Sequence, residues 1–353
     1  MSAAQARVAI VLVNWNGWRD SIECISSIYG SDAPQLADVW LVDNDSSDGS
    51  VERIQQWCRQ PQQETQWRVQ DGVRHAGPGP IQCRVWAANG RAAKSVEGRC
   101  LHIVKSGGNL GFAGGNNAGM AAAGLGHYTH FWLLNTDTVM RHDALHQLLQ
   151  RAQQGSQVGL PLGIVGSSLI YYNQPNHLQA QGGGSLNEEG LRALHLGEGQ
   201  AVRDIPADAQ ALVAVESEMD YVVGASMLVS AAFVRDIGPM CEDYFLYFEE
   251  LDWAYRARGR FAMGYAPRSW VFHKVGGSSA KPHSEFSLNL LYRNQLRFAG
   301  RFLPDRVHQV QRKLLLELLR ELAKGHWTAV RLLARALRDR HELVSGGAVG
   351  AHR

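Results

Sequence analysis

The run Val8-Ala9-Ile10-Val11-Leu12-Val13-Asn14-Trp15-Asn16-Gly17 decides how the rest of the chain is read. Residues 8–13 are aliphatic without a break, the pattern of a strand buried on both faces of a sheet. Trp18, Ile22, Ile25 and Ile28 then recur at helical spacing, so the strand is followed by a helix. Val39-Trp40-Leu41-Val42 repeats the strand signal, and Asp48-Gly49-Ser50 opens a second helix through Val51, Ile54 and Trp57. Two βα units in succession predict a parallel sheet. Further strands are expected at 101–104 and 130–134. The first of these feeds a glycine-rich loop, residues 107–117, ahead of an alanine-rich helix around Met120.

Outward from this core the pattern loosens. Residues 59–98 are polar and rich in Gln, Gly and Arg, which marks an insertion with one short strand at 81–86. Residues 159–210 suggest small strands and loops, strand and helix character returns from Tyr221, and residues 286–343 read as mostly helical. The 353 residues, 45% of them hydrophobic, suffice for a sizeable core. The formal charge of +2 is uneven: from Arg293 onward there are 13 Lys/Arg against 5 Asp/Glu, a net +8, which leaves −6 for the rest. Five cysteines, Cys24, Cys58, Cys83, Cys100 and Cys241, lack metal-ligand spacing and disulfide-scaffold density, as expected in a reducing compartment. No apolar run approaches the ~20 residues of a membrane span, so a cytoplasmic protein is expected, with peripheral contact at the inner face of the membrane as a further expectation.

In an open parallel sheet, ligands bind beyond the carboxyl ends of the strands. Three polar clusters fall there: Asp43-Asn44-Asp45, residues 109–117, and Asn135-Thr136-Asp137. Turn chemistry would explain any one of them, and three on one edge point to a ligand site. The glycines of the third loop would admit close backbone approach and free amides, with Asn116 and Asn117 as donors and acceptors. A dinucleotide fingerprint fails, because the first strand ends in Asn14-Trp15-Asn16-Gly17 rather than in a glycine-rich turn. Farther on, Glu249-Glu250-Leu251-Asp252 places three carboxylates within four positions among aromatics, where a raised pKa suits a general base. On a helix, Glu249 and Asp252 share a face and Glu250 points elsewhere. Trp270-Val271-Phe272-His273 ends another strand in a histidine, followed by Gly276-Gly277-Ser278-Ser279.

With these motifs in place, Val13-Asn14-Trp15-Asn16-Gly17, residues 42–50, residues 109–117, Leu134-Asn135-Thr136-Asp137, Gly224-Ala225, Phe248-Glu249-Glu250-Leu251-Asp252 and Tyr292-Arg293-Asn294, the chain resembles the inverting glycosyltransferases of family two. The nearest branch is the rhamnosyltransferase-like one of bacterial polysaccharide synthesis, and the match runs over residues 8–298. The resemblance implies a GT-A fold over 1–284: a Rossmann-like, mostly parallel sheet with helices on both faces, a nucleotide-binding half at 1–140 and an acceptor and catalytic half at 159–284. A basic helical region, 285–353, follows. It implies transfer of a sugar, rhamnose from a dTDP donor first of all, to a hydroxyl of a glycan or lipid-linked acceptor, with Mg²⁺ or Mn²⁺ as cofactor and no nucleic-acid partner.

Residue by residue, the resemblance implies that Asp43 holds the base and that Asn14, Asn16, Asn44, Asp45, Asn109, Gly111, Phe112, Asn117, Asn135, Arg293 and Asn294 line the donor. Gly224, Ala225 and Trp253 would meet the acceptor. Asp137 and His273 would bind the metal, and Glu250 would be the base, with Asp252 and Glu249 as its competitors. Three departures stand out: Asn135 where many relatives carry an acid, Glu250 where Asp is common, and Cys241 at a position often held by Asp.

Two rival readings are a non-catalytic family member that binds a glycan or partner, and a sugar-nucleotide pyrophosphorylase. The latter would need a Lys/Arg-bearing glycine loop after the first strand, and none is present there. In the basic end, Val307, Val310, Leu314, Leu318 and Leu322 form a helical stripe ringed by Arg306, Arg312, Lys313, Arg320 and Lys324. That stripe suits packing on its own domain, self-association, or contact with anionic lipid.

Overall fold

The computed structural model describes residues 6–32, 37–60, 67, 70–76, 79–87, 100–156, 158–189, 191–275 and 284–348. In chain order the elements are β1 (Val8–Asn14), α1 (Trp18–Tyr29), β2 (Ala37–Asp43), α2 (Ser50–Arg59), β3 (Gln82–Ala87), β4 (Cys100–Lys105), α3 (Gly111–Ala123), β5 (His130–Asn135), β6 (Thr138–Met140) and α4 (Ala144–Gln153). There follow β7 (Leu162–Tyr171), β8 (Gln174–Gln181), β9 (Gly183–Asn187), β10 (Arg192–His195), α5 (Ala209–Ser217), β11 (Tyr221–Val222), β12 (Ser226–Ser230), α6 (Ala231–Ile237), α7 (Glu249–Arg256) and β13 (Ala262–His273). The chain continues in α8 (Glu285–Phe302), α9 (Val307–Ala323), α10 (Trp327–Arg338) and α11 (Arg340–Ala348).

The main sheet runs β3-β4-β2-β1-β5-β12-β7-β13-β6, with β8 paired to β7, and a small second sheet runs β10-β9-β11. The first five strands in this order are mutually parallel, and β13 is parallel to β7; β12 enters antiparallel between β5 and β7. From Val8 to Leu12, β1 is fully buried, as its unbroken apolar run requires. Val8, Ile10 and Leu12 pack with α1, α2 and α4 on one face, while Ala9 and Val11 pack with α3 and α6 on the other. This is the expected α/β architecture: a largely parallel sheet, helices on both faces and a helical C-terminal extension.

Two expectations change, in the glycine-rich stretch and in the region read as small strands. The glycine-rich stretch is not a loop throughout, because α3 begins at Gly111 and takes in Phe112 to Asn117. The glycines there serve close packing of helix on sheet: a Cβ on Gly115 would lie 2.7 Å from Val13 Cγ1, and one on Gly119 2.4 Å from Val11 Cγ1. The region read as small strands contains β7, a ten-residue central strand buried almost throughout. The 59–98 stretch supplies its expected short strand as β3 at the sheet edge, and Ala76 donates its amide to Ser26 Oγ of α1 at 3.1 Å; much of 61–99 lies outside the described residues. The two halves share one sheet, since β6 pairs with β13, and the C-terminal helices share its core through Leu296, Phe298, Val310, Leu314 and Leu333.

Candidate active site

The register levels the ends of the parallel strands: Asn14 pairs with Asp43, Val13 with Asn135, and Asp43 with Lys105. The three polar clusters therefore converge, as expected. Their side chains divide the work. Asn14, fully buried, donates to Asp43 Oδ1 and Ser46 Oγ, both at 3.0 Å, and accepts from Ser21 Oγ at 2.8 Å. Asp43 Oδ2 accepts the Ser46 amide at 3.2 Å, and exposed Asn16 accepts the Ser47 amide at 2.8 Å. Asp45 is exposed with φ 64° at the tip of this turn. Asn14 and Asp43 thus brace the turn, and neither is among the residues that line the cleft beside it.

A cleft of about 400 Å³ opens beside the turn, lined by Val13, Trp15, Asn44, Asn109, Gly111, Phe112, Asn135, Thr136, Phe245, Leu246 and Phe286. Asn44 donates to Gly111 O at 2.9 Å, and Asn109 accepts the Gly111 amide at 3.0 Å. Gly111 has φ +71°, and a Cβ there would lie 2.3 Å from Phe245 O, so a side chain is excluded twice over. Phe112 donates its amide to that same carbonyl at 2.9 Å, which ties α3 to the loop before α7. Five of the expected donor residues, Asn44, Asn109, Gly111, Phe112 and Asn135, do line this cleft. Asn117 does not: its amide exchanges bonds with Met240 O and N, each 3.0 Å, and with Glu242 at 2.8 Å.

The loop into α7 is strained, with Tyr247 and Phe248 at φ 70° and 75°, a conformation non-glycine residues seldom hold unaided. Asn294, 1% exposed, holds it by donating to Leu246 O and Tyr247 O, both at 2.9 Å. Asn294 therefore positions the loop, and it is not among the cleft-lining residues. Arg293 pairs with Asp339 at 3.2 Å and is likewise used within the C-terminal helices.

Of the three carboxylates, Asp252 is a structural ion: fully buried, it meets Arg256 Nε at 2.7 Å and Arg301 Nη1 at 2.7 Å. Cys241 Sγ takes the other contact of Arg301 at 3.2 Å, so this cysteine belongs to the same network. These guanidinium contacts set Asp252 apart from Glu250, although its Oδ2, like Glu250 Oε2, has no hydrogen-bond partner among the described residues. Trp253, expected at the acceptor, is fully buried; its ring meets Phe233 edge-on at 5.1 Å and its Nε1 donates to Gly238 O at 2.8 Å. Helical geometry turns both residues toward the core, away from Glu250.

Glu250 has the position a base needs. A methyl built on Gly224 would lie 3.4 Å from Glu250 Oε1 and 3.2 Å from Phe112 Cζ, so this glycine separates the carboxylate from the cleft by one small residue. Ala225 accepts the Asn135 amide at 3.1 Å and sits beneath the cleft, 3% exposed. Glu250 Oε2 is enclosed yet has no hydrogen-bond partner among the described residues. Burial raises the Glu250 pKa against bonds from its own backbone, from Gly224 and from Glu249. Glu249 is pushed well up, by burial first and then by the Glu250 charge.

On its other side Glu250 borders a second cavity of about 410 Å³, walled by β10, β11, α8 and α9 through Arg192, His195, Tyr221, Tyr292, Gln295, Lys313 and Glu317. Neither this wall nor the aromatic part of the cleft was expected from the sequence. The aromatics beside the carboxylate cluster were the one available signal.

Asp137 and His273 come together, with Nε2 of the ring 3.2 Å from Oδ1, although neither is among the cleft-lining residues. His273 Nδ1 contacts Gln179 Oε1 at 2.8 Å. If Nδ1 carries the proton, Nε2 aims a lone pair at a carboxylate, an arrangement a cation suits. Among the described residues no three His, Cys, Asp or Glu side chains cluster as a metal site. The Gly276–Ser279 motif lies outside the described residues.

No known protein-family description matches the chain. It is similar to the low-salt glycan biosynthesis hexosyltransferase Agl10 of Haloferax volcanii, 23% identical over 236 residues, which span 66% of this chain and 69% of that protein. Among solved structures, the mannosyltransferase PcManGT from Pyrobaculum calidifontis, in complex with GDP-Man and Mn²⁺, aligns over 96% of this chain and 88% of its own at 13% identity and a TM-score of 0.49. S. aureus TarS 1-349 in complex with UDP-GlcNAc aligns over 97% and 89% at 10% identity and a TM-score of 0.48.

Proposed function

We propose that this chain is a glycosyltransferase that moves a sugar from a nucleoside-diphosphate donor in the first cleft to a hydroxyl acceptor in the second cavity, with inversion. The observation that carries this reading is Glu250: an enclosed carboxylate with one unpartnered oxygen, one glycine away from the first cleft and on the wall of the second cavity. The sequence motifs and the hexosyltransferase likeness support the same class.

In this mechanism Glu250 takes the proton of the acceptor hydroxyl as its oxygen forms the new bond to the anomeric carbon, and the bond to the diphosphate oxygen breaks on the opposite face. One displacement inverts the centre. Gly224 holds the carboxylate by its amide, and Asn294 fixes the loop that delivers it. Asp137 and His273, with diphosphate oxygens completing the sphere, would hold Mg²⁺ or Mn²⁺, which supplies charge neutralisation on the leaving group when bound. A donor of deoxythymidine-diphosphate-rhamnose is favoured, because the cleft's Phe112, Phe245, Leu246 and Phe286 suit a stacked base and the methyl of a 6-deoxy sugar. Lipid contact, where it occurs, belongs to the C-terminal helices.

The test is release of nucleoside diphosphate from a panel of dTDP-, GDP- and UDP-sugars, with and without Mg²⁺ or Mn²⁺. Release that disappears in Glu250→Gln while donor affinity persists supports the reading. Tight donor binding with no turnover on any acceptor identifies a binding module instead.

A further inference from the structure

Two of the five cysteines meet where α2 packs on the edge of the sheet, and neither lines the donor cleft or the second cavity. Cys58 is the penultimate residue of α2, and Cys83 is the second residue of β3. The backbone already ties the two elements, because Ile81, just ahead of β3, donates its amide to Cys58 O at 2.8 Å. Side chains alternate along a strand, and β3 sorts accordingly. Cys83 packs against the core that holds Cys58, Ile54 and Tyr29, while Trp86 packs on the opposite face. The Cys83 sulfur therefore points at the helix that carries Cys58. Cys100 does not take that place: it stands opposite Gln82, and its neighbour Leu101 is the residue of β4 that faces the Cys58 core.

The surroundings give the two thiols unequal chemistry. Cys83 is partly exposed, whereas Cys58 is 1% exposed. Contact with the Cys58 thiol holds the Cys83 pKa below its ordinary value against burial, and the Arg59 guanidinium adds to the effect. The same contact, together with burial, pushes Cys58 up. The thiolate, the form that attacks an electrophile, is thus favoured on the sulfur that solvent reaches. The other titratable groups close to the pair are Tyr29 and Cys100, and burial raises the pKa of both, which favours their uncharged forms. An accessible thiolate beside a second thiol is the arrangement in which oxidation stops at a disulfide instead of running on to higher acids.

We propose that Cys83 is a peroxide-reactive thiol that Cys58 resolves, so that oxidation closes a reversible Cys58–Cys83 disulfide between α2 and β3. In the first step the Cys83 sulfur attacks a hydroperoxide, ROOH: an S–O bond forms, the O–O bond breaks, and the alkoxide or hydroxide that leaves takes up a proton. In the second step the Cys58 sulfur attacks the Cys83 sulfur: the S–S bond forms, the S–O bond breaks, and hydroxide leaves with the Cys58 proton as water. The two sulfurs give up two electrons between them, and the peroxide gains both. A dithiol reverses the bond by thiol–disulfide exchange. Because β3 is the outermost strand and pairs only with β4 among the described strands, the disulfide fastens the edge of the sheet to its helical layer.

The test uses the full chain, reduced, freed of reductant and treated with a small excess of hydrogen peroxide, with tert-butyl hydroperoxide in parallel. The intact mass should fall by two hydrogens, two of the five thiols should become closed to alkylation, and peptide mapping should join Cys58 to Cys83. Dithiothreitol should restore both thiols. In Cys58→Ala the Cys83 sulfenic acid should persist and be trapped by dimedone, and in Cys83→Ser the mass should stay unchanged at the same dose. Cys83 is partly exposed, so its variant should fold as the wild type does and keeps the test open if the buried substitution is not tolerated. In the reduced protein, N-ethylmaleimide should modify Cys83 about tenfold or more faster than Cys241, a thiol likewise partly exposed whose pKa burial raises. Equal rates at these two cysteines, first oxidation at another cysteine, a disulfide to Cys100 or between chains, or an unchanged mass in the wild type overturns the proposal.

Discussion

Glu250 and Asp252 stand two residues apart on one short helix, and the structure gives them opposite work, so exchanging each for its amide should separate stability from turnover. In Asp252→Asn, Arg256 and Arg301 lose the carboxylate that both meet at 2.7 Å. Breaking a buried ion pair costs roughly 3–5 kcal/mol. The lower end applies here, because Arg256 and Arg301 keep 19% and 11% side-chain exposure and retain bonds to Ile237 O, Pro239 O and Cys241 Sγ. At roughly 2–4 °C per kcal/mol for domains of 150–250 residues, and less for larger chains, the melting midpoint should fall by about 5–10 °C. Turnover of the folded fraction should stay within a few-fold. Glu250→Gln should do the reverse, retaining or raising the midpoint, since it removes a buried carboxyl, and cutting turnover by about 10²–10⁴. Scanning calorimetry with steady-state kinetics well below the midpoint reads both. An Asp252→Asn protein that melts with the wild type and is inactive, beside an active Glu250→Gln, would refute the assignment.

Further outcomes follow from the same geometry. Asn294→Ala leaves Leu246 O and Tyr247 O without their donor, each worth about 1–3 kcal/mol when buried, and should lower kcat through a displaced Glu250; unchanged stability and kcat would mean the strained loop holds itself. Because Glu250 must be ionised to act and its pKa is raised, turnover should fall as pH is lowered through a value above the ordinary carboxylate range of about 4.3, a limb that a pH–kcat profile locates. Asp137→Ala and His273→Ala should each lose metal-dependent donor affinity in titration calorimetry, and unchanged affinity in both would remove them from the site. Leu315, Leu316, Leu319, Leu322 and Trp327 are 42–69% exposed beside Arg312, Arg320 and Lys324, so the protein should co-sediment with anionic vesicles at low salt and be released by added salt; absence of sedimentation would leave this face to self-association.

The parallel sheet and the strand-end clusters were legible because they rest on local signals: an unbroken aliphatic run, turn residues, and the rule that parallel strands end together. Which polar residue touches a ligand was not, because that depends on partners distant in sequence. Asn294 and Asp252 looked like site residues by type, but Leu246, Tyr247, Arg256 and Arg301 consume their bonding capacity. The α9 stripe was read correctly as apolar. Val310 and Leu314 are buried in the domain's own core and Val307 and Leu318 partly so, which leaves Leu322 with the other exposed leucines on a face the periodicity did not single out. The second cavity was invisible for the same reason, since its walls meet only after β10, β11, α8 and α9 are assembled.

The antiparallel strand β12 also governs how the chain can be made. Until residues 226–230 arrive, β5 offers an open edge of unpaired amides and carbonyls, and β7 has no strand to join it to the first five. During synthesis the amino-terminal half must therefore wait, with a template for foreign strands exposed, for about a hundred residues of further chain. A fragment ending near residue 140 should aggregate rather than fold alone, and supplying the missing segment in trans should restore solubility by closing that edge.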